Sequence, residues 1–197
     1  MPHHPDTNRL ALAFAKCRAY STSWSGELYR TSSLRYANKD DLLSGAGSKS
    51  AGARWNAPNR FRAVYTSLDP HTAIDEALAH FLYYGFPIAQ TMPRVIVSLQ
   101  AHLRHVLDMT DRHVRRLLGV SEGRLLHEPW REKQKKGREA LTQAIGRLAF
   151  HADWEGILVP SVARQGGVNL IIFPANLDAP GSWLKIINRA DLPQQHL

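Results

Sequence analysis

Apolar residues at Leu10, Leu12, Phe14 and Ala15, with no Gly or Pro across positions 8–18, predict a short leading helix. The polar run 21–26 breaks it, and residues 27–31 read as a short first strand holding Arg30. The stretch 44–52, rich in Gly and Ser, reads as a loop that delivers Arg54. Residues 61–67 are aromatic and β-branched enough for a strand, and Asp69-Pro70 then starts a helix that runs to about Tyr84 and stops at Gly85 and Pro87. If Ile74, Ala77, Leu78 and Phe81 form the buried stripe of that helix, a turn of about 100° per residue places Glu76 roughly opposite, off the core.

Residues 94–99 are dense in Val and predict another strand. Helices follow near 110–118 and 135–149, the second carrying Ala140, Leu141, Ala144, Ile145 and Leu148 on one face. Strands are predicted at 156–159, 168–173 and 183–187, punctuated by Pro160, Gly166-Gly167 and Pro174. Short strands and helices interleave without the regular alternation of a doubly wound sheet, which argues for a mixed α+β domain.

The 197 residues, 44% of them hydrophobic, suit one domain able to bury a real core. No apolar run approaches the roughly 20 residues that cross a bilayer, and the amino terminus lacks a secretory pattern. Cys17 is the single cysteine, so an internal disulfide is not expected, and a reducing, cytoplasmic setting is.

The net charge of +8 changes the picture because it is concentrated: positions 112–138 hold nine Lys or Arg against three Glu. Such a block fits a solvated face, an acidic protein partner, or phosphate-rich nucleic acid.

Among candidate chemistry, a Gly-x-Gly-x-x-Gly turn and a Walker-type loop are both missing, so Rossmann or P-loop nucleotide binding is unsupported. The histidine pairs His3 with His4 and His102 with His105 lack companion ligands at zinc-like spacing, and no metal is expected. Arg54, Tyr65 and Glu76 fall within one loop, strand and helix, and combine a cation, an aromatic ring and a carboxylate. A guanidinium offers paired hydrogen bonds to a pyrophosphate. A tyrosine ring can stack on a cationic heterocycle. A carboxylate can stabilise the oxocarbenium-like centre formed when a ribosyl bond breaks.

Gly52-Ala53-Arg54-Trp55-Asn56, Val64-Tyr65-Thr66-Ser67 and Ala73-Ile74-Asp75-Glu76-Ala77-Leu78 together resemble the core signature of the RES domain family. Tyr29-Arg30 resembles the element that supplies the family's arginine. Val159-Pro160-Ser161, followed by Gly166, Gly167 and Asn169, resembles the one that supplies its serine. Ala53 departs from the family's second glycine. The resemblance covers about 28–174, with 1–26 as an N-terminal helical extension of a single domain over 1–197.

The resemblance implies a fold similar to diphtheria-toxin-type ADP-ribosyltransferases, with two small packed sheets and an NAD cleft between them. It also implies a toxin of a bacterial toxin-antitoxin pair that cleaves NAD at the nicotinamide-ribose bond. Arg30, Glu76 and Ser161 would be catalytic, and Arg54 and Tyr65 would bind substrate. NAD is substrate rather than cofactor, and an Xre-type DNA-binding antitoxin is the implied partner. Ser161 lacks a Gly-x-Ser-x-Gly elbow or an activating His and Asp, so it is expected to support Glu76 or the substrate rather than attack. Transfer of ADP-ribose to water, phosphate or a macromolecule stays open, as does a non-catalytic nucleic-acid-binding module.

Overall fold

The computed structural model describes residues 1–187, 190, 192 and 193; the remainder of the expected 1–197 domain lies outside them. Helix α1 (Thr7–Cys17) leads into strand β1 (Thr22–Ser33). Helices α2 (Lys39–Ser44) and α3 (Ala46–Ala51), strand β2 (Val64–Ser67), helix α4 (Pro70–Tyr83) and strand β3 (Arg94–Asp108) follow. Next come α5 (Arg112–Leu117), α6 (Glu122–Leu126), α7 (Trp130–Lys135) and α8 (Leu141–His151). Strands β4 (Gly156–Pro160), β5 (Val168–Ile172) and β6 (Trp183–Ile186) complete the order.

The strands form one six-stranded sheet in the order β1-β2-β5-β4-β3-β6, and β1 also pairs with β3. β1 therefore closes a ring: it runs antiparallel to β3 from Thr22 opposite Val106 to Ser33 opposite Arg94, and meets β2 at Tyr29 opposite Ser67. One edge of β3 is used twice, by β6 at positions 99–102 and by β4, in parallel, at 106–108. The two separate sheets expected from the resemblance are thus replaced by one continuous sheet bent onto itself.

Side chains alternate along the strands, so each strand feeds two cores. Leu28, Val64, Leu99, Leu103, Leu170 and Ile172 fill the inside of the ring. Ile157, Val159 and Ile171 point the other way, against α1 and α8. Leu10, Ala13, Phe14 and Cys17, at helical spacing, fasten α1 to that second core. Each fully buried aliphatic side chain there is worth about 1.5–3 kcal/mol over exposure.

Four expectations are corrected. β1 and β3 are 12 and 15 residues long rather than short, because their more polar halves still pair with each other as neighbouring antiparallel strands. Residues 46–51, expected as loop, form α3: left-handed Gly45 ends α2 and starts α3, and the Ser48 hydroxyl donates to the carbonyls of Gly45 and Ala63. Residues 61–63 precede the strand instead of joining it, with Phe61 stacked on Phe150 at 4.5 Å. The helix expected over 135–149 is divided at Gly137 (φ +66°), and the Glu128 carboxylate accepts from the Leu141 N–H at 2.8 Å where α8 begins.

Candidate active site

β1, β2, α4 and the turn at 52–56 enclose a cavity of about 500 Å³. Asp69 caps α4 by accepting from the Thr72 N–H at 2.9 Å, and Pro70 occupies the first turn, as the sequence signals. The stripe expected to be buried is not: Ile74, Ala77, Leu78 and Phe81 are only half-buried, while Thr72 and Ala73 are the fully buried residues of α4. The helix is a wall of a hollow. Ala73, Glu76, Ala77 and His80, spaced one helical turn apart, face that hollow.

Of the five residues singled out in the sequence, Arg30, Arg54, Tyr65 and Glu76 line the cavity. Ser161 is buried behind it and does not; its Oγ donates to Glu76 Oε1 at 2.7 Å. The same oxygen accepts from Asn169 Nδ2 at 2.7 Å and from the Val162 N–H at 3.2 Å. The Ser67 hydroxyl donates to Asn169 Oδ1 at 2.7 Å, which fixes the amide with its NH₂ toward Glu76. Three donors therefore hold one carboxylate oxygen, and Oε2 accepts no hydrogen bond among the described residues.

Arg54 sits in a tight turn closed by the Ala53 N–H to Asn56 O hydrogen bond at 2.7 Å. The Tyr65 hydroxyl accepts from the Trp55 N–H at 2.9 Å and donates to Asn56 Oδ1 at 2.8 Å, so it anchors this turn while its ring faces the cavity. Burial pushes that hydroxyl's pKa well up, which keeps it protonated. Gly146 of α8 makes room for the turn: a Cβ there would stand 1.8 Å from the Trp55 carbonyl oxygen. Arg54 Nη1 donates to Leu125 O at 2.9 Å. Burial lowers the Arg54 pKa, opposed by the Glu76 carboxylate. The Arg30 pKa is lowered by burial, opposed by Asp41, and its Nη1 is shut off from water without a partner.

The cavity also contains His80, Arg94, Trp130 and Arg131, which sequence reasoning did not bring in. The signal for His80 was available, one turn beyond Glu76 on the same helix face; Arg94 and Arg131 carry no local mark of their role. Glu76 is, among the described residues, the single acidic residue lining the cavity, against four arginines. Among the described residues no three His, Cys, Asp or Glu side chains gather into a metal-holding group, and no helix is long and apolar enough to cross a membrane.

Four arginines and one oriented carboxylate thus line a cavity of about 500 Å³ in a mixed α+β domain. The RES domain model matches residues 27–193, and the chain belongs to the RES domain family. It is 27% identical over 158 residues to the NAD(+) phosphorylase MbcT of Mycobacterium bovis, covering 76% of this chain and 73% of that protein. It is 33% identical over 112 residues to the probable NAD(+) phosphorylase Rv3189 of Mycobacterium tuberculosis, covering 55% of this chain and 47% of that protein. The crystal structure of the M. tuberculosis MbcT-MbcA toxin-antitoxin complex contains a chain of the same fold, with a TM-score of 0.68 and 21% identity. That alignment covers 92% of this chain and 93% of the other.

Proposed function

We propose that this protein cleaves NAD between nicotinamide and ribose, as the toxin of a toxin-antitoxin pair acting on cytoplasmic NAD. The reading rests above all on Glu76, whose Oε1 is held by three donors while Oε2 is left for the ligand. As the bond breaks, positive charge moves from the nicotinamide ring onto the ribose, and a fixed carboxylate in a partly dry cavity stabilises it. Neutral nicotinamide leaves with the bonding electrons, so a general acid is not required. Arg30 and Arg54 hold the pyrophosphate, and the Tyr65 ring lies against nicotinamide. Ser161 acts through Glu76. The names of the relatives support NAD as substrate and phosphate, rather than water, as acceptor.

An Xre-type antitoxin is the proposed partner, supported by the complex in which the structural relative was solved. The surface from the end of α4 to the start of β3 is unusually apolar, with Tyr83, Tyr84, Phe86, Ile88 and Met92 exposed beside the cavity residues His80, Phe81 and Arg94. Patches of this kind mark protein contacts. The proposed kinship to diphtheria-toxin-type ADP-ribosyltransferases rests on the RES signature, with a cavity of about 500 Å³ against the bent sheet where that resemblance expects an NAD cleft.

Purified protein mixed with NAD, with and without inorganic phosphate, is expected to release free nicotinamide, and Glu76→Gln to release on the order of a thousandfold less. Absence of nicotinamide from the native protein in buffer and in cell extract refutes the reading.

A further inference from the structure

We propose that Arg94, Arg131 and His80 form a second anion subsite in the cavity, which takes inorganic phosphate as the acceptor of the ADP-ribosyl group. The proposal rests on the NAD reading for its reaction, and on the cavity itself for its binding.

Four arginines against Glu76 leave three uncompensated positive charges in the cavity. NAD brings two phosphate charges and one cationic ring, and so cancels a single one of them. The remaining excess of two matches a hydrogenphosphate dianion. Among the described residues none of the four cavity arginines makes an ion pair with a protein carboxylate. Glu128, in the adjoining hollow, is committed to Lys133 at 2.8 Å and to the Leu141 N–H.

Aromatic rings hold these cations in place. The Arg131 guanidinium lies 4.3 Å from the Tyr83 ring centre and 4.5 Å from that of Trp130, and the Arg94 guanidinium lies 5.0 Å from the Phe81 ring. Rings on the faces of a guanidinium fix its position and leave its in-plane N–H groups free. The Nε atoms of Arg94 and Arg131 are buried and have no hydrogen-bond partner. Buried donors without acceptors are costly, and a tetrahedral oxyanion supplies several acceptors at once. His80 lines the same cavity: its Nδ1 is 3.5 Å from Arg131 Nη2, and its pKa is lowered by burial first and then by the charges of Arg131 and Arg94. A bound dianion reverses the effect of those two charges.

His80 follows Glu76 by four residues on α4, so the subsite lies about one helical pitch, roughly 5.4 Å, along the wall from the carboxylate. In the step, a phosphate oxygen forms the bond to ribose C1 as the C1–N bond to nicotinamide breaks. The bonding pair leaves with neutral nicotinamide, and the new ribosyl phosphate keeps its proton until solvent takes it. No other reactant is needed.

The test combines kinetics with direct binding. Nicotinamide release is measured against phosphate and NAD separately for the native protein and for Arg94→Gln, Arg131→Gln and His80→Gln, and inorganic phosphate alone is titrated calorimetrically into each. Arg94→Lys, which retains the charge, and a thermal midpoint for every variant separate lost binding from lost folding. Expected are a saturable phosphate dependence in the native protein, a KM for phosphate raised about 10- to 100-fold in the two Gln variants of arginine, and a KM for NAD within about threefold of native. Calorimetry should show the same ranking. Folded variants that raise the KM for NAD as much as that for phosphate, or that bind inorganic phosphate as native does, overturn the subsite and leave NAD cleavage standing. If the native protein releases no nicotinamide, the NAD reading fails instead. The subsite is then decided by calorimetry alone: weaker phosphate binding by Arg94→Gln and Arg131→Gln upholds it, and unchanged binding overturns it.

Discussion

Replacing Ser161 by Ala separates a serine that orients Glu76 from one that attacks the substrate. The hydroxyl is one of three donors on Glu76 Oε1, and with Asn169 one of the two at 2.7 Å. Its loss leaves the carboxylate held by the Asn169 amide and the Val162 N–H. A hydrogen bond to a charged group is worth about 1.5–3 kcal/mol. If that energy is expressed in the transition state, kcat falls roughly 10- to 100-fold, because each 1.4 kcal/mol or so is tenfold in rate. Removal of a true nucleophile in a catalytic triad costs on the order of a millionfold. The two roles thus differ by orders of magnitude in one measurement.

Ser161 does not line the cavity, so the KM for NAD should stay within about twofold of native. In a Glu76→Gln background the same substitution should cost less than about threefold, since a residue that acts through Glu76 has little left to act on. The hydroxyl also accepts from the Ala163 and Arg164 N–H groups at 3.2 and 3.1 Å, so a stability loss of about 1 kcal/mol accompanies the change. Initial rates of nicotinamide release, with urea unfolding as control, read all of this. A nucleophile-sized drop, a rise confined to the KM for NAD, or an undiminished effect in the Glu76→Gln background refutes the orienting role.

Gly146→Ala forces a methyl against the Trp55 backbone and should destabilise by about 2–3 kcal/mol in urea unfolding; because Trp55 carries Arg54 with it, the KM for NAD should rise as well. The buried pair of Arg147 and Glu139, at 2.7 and 2.9 Å, yields a pH signature. Burial alone favours the neutral acid, but the Arg147 hydrogen bonds, helped by the His4 N–H, hold the Glu139 carboxyl below its ordinary value of 4.5. A group lowered in this way contributes stability above its unfolded value and loses it as pH falls through the folded one. Arg147→Met should therefore cost about 3–5 kcal/mol at pH 7, with the deficit relative to native shrinking toward pH 4; a deficit that does not change with pH refutes the assignment.

The parts of the fold that were legible in the sequence are those with a local cause. Asp69 and Pro70 signal the start of α4 through a cap that the structure contains, with the Thr72 N–H as its donor, and Gly85, with φ of +75°, marks where the helix must stop. The helix α3 was illegible for the opposite reason. Its Gly and Ser composition reads as coil, and it is held by the Ser48 hydroxyl bonding to Ala63, fifteen residues away. β3 was shortened because its second half is polar on alternate positions, yet Ala101 and Leu103 still point into the ring. At the site, Arg30, Arg54, Tyr65, Glu76 and Ser161 stood in short recognisable blocks. Asn169 stood in one of those blocks as well, but its role depends on the Ser67 hydroxyl that orients it from the neighbouring strand. Arg94 and Arg131 line one cavity from β3 and α7, elements far apart in the chain, and spacing along the chain does not encode that.

The basic stretch at 112–138 shows why charge counted along a sequence misleads about where charge acts. The chain breaks there into three short helices, and several of the cations turn inward. Arg115 donates to the Met109 and Thr110 carbonyls and pairs with Glu122 at 2.8 Å. Arg124 approaches Asp6, Lys133 is bonded to Glu128, and Arg131 enters the cavity. Arg112 and Arg116 on α5, and Lys135, Lys136 and Arg138 at and beyond the end of α7, are exposed, and α6 separates the two groups along the chain. A phosphate backbone running over a protein needs a continuous row of cations, because its affinity grows with the number of phosphates neutralised together. The field that this stretch contributes is instead divided between local ion pairs and the cavity. In the cavity, Arg131 and the three arginines from β1, β3 and the 52–56 turn face a single carboxylate. That concentration of positive charge around Glu76 favours a small, multiply charged ligand over a long polyanion.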